Sequence, residues 1–178
     1  PYDFLSPYGC SKGAGETYCI DYARVYDLDI SVARLGGIYG ENQFSTEDHG
    51  WIAFITEMIR SNKPFNRFGH GKQVRDVLHV DDIVRALEAL AAHDWRGNCG
   101  IFNISGGQKN TLSVLELMSL VSEITGNAPQ DNVLEMRKAD KLVMYLNTTK
   151  AREVLNWEPK IGFESGIKRL IEWQNLIS

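Results

Sequence analysis

Cysteine, long apolar runs and clustered basic residues are all scarce in this sequence of 178 residues. Its three cysteines, Cys10, Cys19 and Cys99, are odd in number and lack the spacing of metal ligands. They are therefore expected to be free thiols in a reducing compartment, not a disulfide framework. No stretch approaches the roughly 20 apolar residues of a membrane-spanning helix, and the N-terminus does not resemble a signal peptide. These absences predict a cytoplasmic protein without a membrane segment.

Charge of one sign is also not concentrated anywhere in the chain. The net charge is −4, and the basic residues are dispersed, which argues against nucleic-acid binding. Hydrophobic residues make up 43% and charged residues 24% of the chain, as is typical of globular proteins. The composition therefore predicts a folded globular protein that does not bind nucleic acid.

The glycine fingerprint of a dinucleotide site is missing as well. Such a site has Gly-x-Gly-x-x-Gly between a strand and a helix, whose N-terminal N–H groups hold the pyrophosphate. The nearest glycines are Gly36, Gly37 and Gly40, but their spacing differs and a polar loop follows them. They are predicted to form a turn that lines a pocket, and a turn without any function fits the sequence equally well.

A tyrosine and a lysine lie four residues apart near the start of the chain, in the stretch SPYGCSKGAGE. Ser6 and Pro7 are typical of a helix start, and this helix is predicted to continue to about Tyr26. Residues four apart share one side of a helix, and an ammonium group beside a phenol favours the phenolate. Tyr8 is thus a candidate proton acceptor assisted by Lys12, and an ordinary solvated helix pair is the alternative.

Strand and helix patterns alternate along the rest of the chain. Two short apolar runs, 30–35 and 101–105, are predicted to be buried strands of a parallel sheet, and two extended pieces are expected around the turn at 69–71. Helices are predicted at 51–60, at 81–93, from Thr111 to about Thr125, and after Thr148 and Phe163. The alternation indicates an α/β protein. Because a doubly wound domain needs more strands, the chain looks like half of one.

Four segments carry a family resemblance: the Tyr8/Lys12 pair, ARLGGIYGENQF, GHGKQVRDVLHVDDI, and the ending NTTKAREVLNWEPKIGFESGIKRLIEW. In this order they resemble the C-terminal half of extended short-chain dehydrogenases/reductases, the NAD-dependent nucleotide-sugar epimerases and dehydratases. The resemblance covers essentially the whole chain. It implies the C-terminal half of a doubly wound Rossmann-type domain plus a small mixed α/β substrate-binding domain, with the N-terminal cofactor half absent.

The resemblance also implies how the chain is divided. Residues about 1–35 and 76–106 would be the Rossmann-side elements, and about 36–75 and 107–178 would form the substrate-binding side. NAD is the implied cofactor. Its binding is expected to need the upstream half, which would carry the glycine-rich loop and a Ser or Thr that assists the tyrosine.

The catalytic residues that the resemblance implies are Tyr8 and Lys12. Tyr8 would accept a proton from a sugar hydroxyl, and Lys12 would lower the pKa of Tyr8 and hydrogen-bond the nicotinamide ribose. Gly36, Gly37 and Ile38 would pass beside the nicotinamide. Several relatives have a diphosphate-binding asparagine in the place of Gly37, and a small residue there is similar to the family's 2-epimerases.

A nucleotide-diphosphate sugar is the implied substrate, and the segments QFSTEDHGW and GKQVRDVLHVDD are similar to epimerases of CDP-linked sugars. Arg75 and Arg137 match positions that bind the diphosphate, where a guanidinium suits phosphate oxygens. Asp140 matches a contact with the nucleotide ribose, and Gln43 and the loop through His49 are expected to lie near the sugar and to help select it. Without the resemblance, both arginines would be interpreted as members of surface ion pairs with neighbouring carboxylates.

The implied activity is epimerisation by transient NAD-linked oxidation, in which Tyr8 takes the hydroxyl proton and hydride leaves and returns. Two alternatives remain open. One is a nucleotide-sugar 4,6-dehydratase or decarboxylase of the same superfamily, which would need additional acids at the sugar. The other is a catalytically inactive module that only binds nucleotide sugars.

A stripe of tyrosines, Tyr18, Tyr22 and Tyr26, follows one side of the first predicted helix. Such a stripe is usually packing, but relatives pair their subunits through this helix, and the resemblance therefore implies a homo-oligomer. No metal site is expected.

Overall fold

The structure is a computed structural model, and it describes residues 4–96, 98–138 and 140–177. The helices are α1 (Pro7–Tyr26), α2 (Trp51–Arg60), α3 (Val80–Ala92), α4 (Val114–Thr125), α5 (Thr149–Leu155) and α6 (Phe163–Leu176), with one 3₁₀ turn at Gln108–Asn110. The strands are β1 (Ile30–Leu35), β2 (Gly37–Tyr39), β3 (Phe65–Phe68), β4 (Val74–His79), β5 (Cys99–Ile104), β6 (Thr111–Ser113), β7 (Asp131–Leu134) and β8 (Val143–Met144). The predicted α/β class is confirmed.

Helix α1 has the ends that the sequence predicts. The Ser6 side chain accepts a hydrogen bond from the Gly9 N–H at 3.1 Å, and Pro7 begins the helix. Asp27 ends it in a left-handed conformation with φ of 53°. The helix packs against β1 and β5, yet Ala23 is its only fully buried residue. Most of its surface is therefore exposed.

Strands β1 and β5 form a parallel pair, from Ile30 opposite Cys99 to Leu35 opposite Ile104. The prediction that β1 is buried is wrong, because none of its six residues is fully buried and Leu35 is 50% exposed. In the part of the chain that the structure describes, β1 pairs with β5 alone, so its other edge is open. Strand β5, in contrast, contributes the fully buried Phe102 and Ile104 to a core with α3 and Trp157.

A second sheet is arranged around β4. The first half of β4 pairs with β6 (antiparallel) and β8 (parallel), and its second half pairs with β2 (parallel). Strands β3 and β7 form a separate parallel pair, joined by the Arg67–Asp131 ion pair at 2.7 Å. The two extended pieces predicted around 69–71 are thus confirmed as β3 and β4. Strands β2, β6 and β8 were missed because two or three residues show no periodicity.

The helix predicted from Thr111 begins three residues later. Thr111–Ser113 is strand β6, whose backbone pairs with β4, and Ser113 is the N-cap of α4. The Glu116 N–H donates to the Ser113 side chain at 3.2 Å, and the Ser113 N–H donates to the Glu116 carboxylate at 2.6 Å. This reciprocal capping fixes the helix start. Gly126 ends α4 with φ of 77°, as predicted.

The larger hydrophobic core lies among α2, α4 and α6, and it includes Ile52, Leu117 and Leu170. The predicted helices at 51–60, 81–93 and after Thr148 and Phe163 correspond to α2, α3, α5 and α6. The cysteines Cys10, Cys19 and Cys99 are free. Across the described ranges, no helix has the length and apolar character that crossing a membrane would require.

Candidate functional site

A cavity of about 390 Å³ brings together three of the residues predicted to bind substrate. Arg75 reaches it from β4, and Arg137 and Asp140 reach it from the segment that follows β7. Strand pairing explains this arrangement, because β7 pairs with β3 at one end of that segment and β8 pairs with the start of β4 at the other end. Arg67 lines the cavity as well, and three guanidinium groups in one cavity make it a candidate site for an anionic ligand.

Arg75 and Asp140 form an ion pair within this cavity. Asp140 also accepts a hydrogen bond from the Gln73 side-chain amide at 3.2 Å, and the same amide donates to the Phe68 carbonyl at 2.8 Å. The Asp140 carboxylate is thus held between two donors. Asp76, the neighbour of Arg75 in sequence, instead accepts from the Leu146 N–H at 2.9 Å.

Arg137 lies on the other side of the cavity, where it contacts two residues from distant parts of the chain. Its guanidinium donates to the Asp48 carboxylate at 2.8 Å, and its Cζ lies 4.0 Å from the centroid of the Phe68 ring. Stacking on an aromatic ring leaves the edge of the guanidinium free to bind oxygens. The ion pair of Arg137 is thus with Asp48, a distant residue, and not with a neighbouring carboxylate in the sequence.

Aromatic side chains form much of the remaining wall. Trp51 and Phe54 come from the first turn of α2, and Phe68 comes from the end of β3. Gly50 precedes α2 with φ of 73°, a conformation that favours glycine and turns the chain sharply into the helix. A cavity with arginines and flat aromatic walls suits a ligand with both an anionic and a planar apolar part.

Gln43 is not among the residues that line this cavity in the described chain. Its side-chain amide donates to the Ile38 carbonyl at 3.2 Å, and it packs beside Gly50. It therefore ties the loop 40–50 to the end of β2. Its predicted place near the sugar stays a prediction.

The glycines after β1 do not form the predicted turn. Gly36 joins β1 to β2, and Gly37 and Ile38 belong to β2, where they pair with Val77 and Leu78. The three residues are also absent from the lining of the cavity, as far as the structure describes it. The turn prediction was wrong because the chain stays extended after β1 ends at Leu35: the Gly36 N–H donates to the Ile104 carbonyl at 3.3 Å, and Gly37 pairs with Val77 of β4. Their predicted position beside the nicotinamide remains a prediction.

Tyr8 and Lys12 face the same side of α1, as their spacing predicts. Tyr8 is 71% exposed, and the Lys12 Nζ lies 5.3 Å from the centroid of its ring. The pair is separate from the residues that line the cavity. Both polar groups are accessible to a ligand, and the proposed roles of the two residues remain predictions.

Tyr39 provides a contrast to Tyr8. It is 1% exposed, and its hydroxyl donates to the Phe163 carbonyl at 3.4 Å. Burial, together with the carboxylates of Asp82 and Glu41, raises the pKa of Tyr39 far above its ordinary value of 10.0. This phenol stays protonated at neutral pH and cannot act as a base.

Sequence reasoning missed Gln73 and Phe68 as parts of the cavity, and it placed the loop that contains Asp48 near the sugar without assigning Asp48 a partner. Gln73 could have been suspected, because a polar residue two positions before Arg75 points to the same side of an extended segment. Nothing in the sequence pairs Asp48 with Arg137, since the two residues are 89 positions apart.

The comparisons with known proteins agree with this architecture. Residues 1–105 match the NAD dependent epimerase/dehydratase family, and the chain belongs to this family. It is 37% identical over 180 residues to the CDP-paratose 2-epimerase of Salmonella typhi, covering 98% of this chain and 53% of that protein.

Two solved structures are similar over nearly the whole chain. The UDP-glucose 4-epimerase of Thermotoga maritima, solved with UDP-glucose, has a TM-score of 0.90 and 34% identity, covering 98% of this chain and 55% of its own. MoeE5 in complex with UDP-glucuronic acid and NAD has a TM-score of 0.91 and 29% identity, covering 99% of this chain and 57% of its own.

These similarities confirm the family resemblance and the Rossmann-type α/β fold that it implied. The chain spans about half the length of the relatives that it matches. NAD is the cofactor of the family.

Proposed function

We propose that this chain is the base-carrying and substrate-binding half of a nucleotide-sugar epimerase that interconverts CDP-paratose and CDP-tyvelose at C2. The observation that carries the proposal is the cavity in which Arg75, Arg137 and Asp140 meet aromatic walls. Its arginines and planar walls suit a nucleoside diphosphate. The likeness to a CDP-paratose 2-epimerase supports the choice of nucleotide and sugar.

The exposed groups of α1 fit the cofactor of the family. The Lys12 ammonium lies over the Tyr8 ring, both side chains are exposed, and the Tyr8 hydroxyl and the ammonium can each hydrogen-bond ribose hydroxyls. Lys12 would hold the nicotinamide ribose of NAD, which, when bound, supplies a hydride acceptor and donor.

In this proposal, residues of the chain itself carry out the proton transfer. The Tyr8 phenolate accepts the proton of the sugar hydroxyl as that carbon is oxidised, and it returns the same proton when the carbon is reduced again from the other face. The Lys12 ammonium favours the phenolate by its positive charge. Arg75 and Arg137 hold the diphosphate, so that the sugar can turn while its nucleotide stays bound. No net oxidation results.

The decisive experiment incubates the full-length enzyme that carries this chain with CDP-paratose and NAD in D₂O. We expect NMR to show CDP-tyvelose that keeps the original hydrogen at C2, because a hydride that leaves and returns does not exchange with solvent. Deuterium at C2 would contradict the mechanism. Loss of water or of CO₂ from a nucleotide sugar would instead indicate the dehydratase or decarboxylase alternative.

A separate measurement distinguishes the enzyme from a module that only binds nucleotide sugars. Such a module would bind CDP in calorimetry and show no turnover of any nucleotide sugar when NAD is supplied. Turnover that depends on NAD is expected, and it would exclude the binding module.

We propose further that the protein is cytoplasmic. We also propose that its subunits form a dimer through α1. The tyrosines Tyr18, Tyr22 and Tyr26 are 68%, 51% and 62% exposed, which is more than large aromatic side chains usually are in a monomer. We expect light scattering to show a dimer and the double variant Tyr18→Glu/Tyr22→Glu to be a monomer. Tyr145→Glu, at a comparably exposed tyrosine outside α1, is the control and should leave the dimer intact.

A further inference from the structure

Three arginines line the cavity, Arg67, Arg75 and Arg137, and each is paired with a carboxylate of the chain itself. The three carboxylates are held differently. Asp131, the partner of Arg67, is 18% exposed and lies on the paired strand β7. The Asp140 side chain is 27% exposed and is fixed by Gln73 as well as by Arg75. The Asp48 side chain is 73% exposed, and among the described residues Arg137 is its only ion-pair partner. A ligand can therefore displace Asp48 from Arg137 more easily than it can displace Asp140 from Arg75.

A small turn places Asp48 at the rim of the cavity. The Thr46 N–H donates to the His49 carbonyl at 2.9 Å, and the His49 N–H donates to the Thr46 carbonyl at 3.2 Å. Asp48 lies inside this turn, and both it and Glu47 line the cavity. Through Asp48, the turn is tied to the segment that carries Arg137.

We propose that Asp48 is an internal counter-ion of Arg137, and that an anionic ligand must displace it to bind this arginine. The identity of the ligand as a nucleoside diphosphate rests on the proposed function, whereas the counter-ion contact does not. Displacement needs no rearrangement of the fold, because Arg137 stays stacked on Phe68 while its carboxylate partner is exchanged for phosphate oxygens.

The expected size of the effect follows from the exposure of the pair. An exposed ion pair favours its closed form over its open form by about 1.4- to 5-fold. Because the ligand competes only for the open form, Asp48 lowers its affinity by about two- to sixfold. A neutral ligand that does not use Arg137 is unaffected. Asp48 thus reduces the preference of the cavity for anionic over neutral ligands.

Calorimetry with CDP and with cytidine tests the proposal at 0.15 M salt. Asp48→Asn keeps the shape of the side chain but removes its charge, and it should tighten CDP binding about two- to sixfold without changing cytidine binding. Glu47→Gln is the matched control, since it removes the adjacent charge at the same rim. It should change CDP affinity by less than about 1.5-fold, because a charge without a direct contact is screened.

A double-mutant cycle separates the contact from general electrostatics. In an Arg137→Met background, CDP binds more weakly, and the further change Asp48→Asn should have no effect on its affinity. An equal improvement in both backgrounds would overturn the proposal. Weaker CDP binding by Asp48→Asn alone would also overturn it, because Asp48 would then contact the ligand.

Hydrogen exchange tests the contact between Asp48 and Arg137 without a nucleotide. The amides of Thr46 and His49 report on the turn, and they should exchange about two- to sixfold faster in Asp48→Asn and in Arg137→Met, with no further increase in the double variant. Inorganic pyrophosphate should accelerate their exchange in the unmodified protein to the rate of Asp48→Asn. Unchanged exchange rates would overturn the proposal that Asp48 is the counter-ion of Arg137. If the unmodified protein failed to bind CDP while these rates changed as expected, only the proposed function would fail.

Discussion

A Cβ atom at position 36 would lie 1.8 Å from the Oγ of Ser105, so Gly36 and Ser105 touch without room for any side chain at position 36. The same atom would lie 3.0 Å from the Asp76 carboxylate. Ser105 is fully buried and directly follows β5, and Gly36 directly follows β1. The carboxyl ends of two parallel strands therefore meet at a point that only glycine can occupy.

We expect Gly36→Ala to lower the free energy of unfolding by about 1–3 kcal/mol, the usual cost of an added methyl group in a packed region. Urea unfolding measures the change. Gly15→Ala is the matched control, because a Cβ at Gly15 would meet nothing within 4 Å. It should be neutral or stabilise the protein by up to about 1 kcal/mol, as alanine favours a helix. Equal stability of the two variants would contradict the packing argument.

Tyr8→Phe tests the proposed base in the full-length enzyme. The substitution keeps the ring and removes the ionisable oxygen, so binding of CDP and NAD should persist while turnover falls about 10²- to 10⁴-fold. Lys12→Met should also slow turnover, because the proposed contact with the nicotinamide ribose is lost.

Tyr18→Phe, at an equally exposed tyrosine of the same helix, controls for the loss of a hydroxyl group. Its turnover should stay within about threefold of the unmodified enzyme. If Tyr8→Phe behaved in the same way, Tyr8 would be an ordinary helix residue.

Asp82→Asn should weaken the contact between α3 and the segment before α6. The Asp82 carboxylate is fully buried, and it accepts hydrogen bonds from the Lys160 N–H at 3.1 Å and the Ile161 N–H at 2.9 Å and pairs with Arg85. An amide has only one acceptor oxygen, so we expect a loss of about 2–4 kcal/mol in the free energy of unfolding.

The neighbouring carboxylate provides the comparison for Asp82. The Asp81 side chain is 52% exposed and pairs with Arg169 at 2.8 Å, so Asp81→Asn should cost no more than about 1 kcal/mol. Chemical denaturation of both variants distinguishes them. If Asp81→Asn lowered the free energy of unfolding by more than Asp82→Asn does, the burial of Asp82 would not account for its contribution to stability.

The start of α4 should make stability depend on pH. Hydrogen bonds with the side chain and backbone of Ser113 hold the pKa of Glu116 below its ordinary value of 4.5. A carboxyl group whose pKa is lowered by folding stabilises the protein above the unfolded pKa, and this contribution is lost as the pH falls through the folded pKa.

Glu116→Gln should therefore be less stable than the unmodified protein by about 0.3–1 kcal/mol at pH 7. The difference should shrink as the pH falls below about 4.5, where the carboxylate becomes protonated. Thermal unfolding at pH 7 and pH 3.5 measures it. Glu123→Gln, an exposed position later in the same helix, should show no such dependence on pH.

Helix ends were predictable because their signals are local. Ser6 and Pro7 before α1 and Gly126 after α4 act on backbone groups within one turn of the helix. Thr111 misled the prediction, because a threonine before an amphipathic run resembles an N-cap. Pairing with β4 draws Thr111 into a strand, and the cap moves to Ser113.

The candidate site was predictable only through the family resemblance. Arg75, Arg137 and Asp140 were named in this way, and the structure places them around one cavity. Gln43 was named in the same way, and it lies outside that lining. The division of the chain into Rossmann-side and substrate-side segments stays a prediction.

By itself, the sequence determined the α/β class, the six helices and the membership of a family of NAD-dependent enzymes, because periodicity, capping residues and short motifs act within a few residues. Only the tertiary structure decided which charged side chains form ion pairs with each other. Arg75 and Asp140 are 65 positions apart, and Asp48 and Arg137 are 89 positions apart, so each pair depends on strand pairing between distant segments. Burial of β1 was likewise decided by its neighbours, because an apolar strand is covered only where another element packs against it.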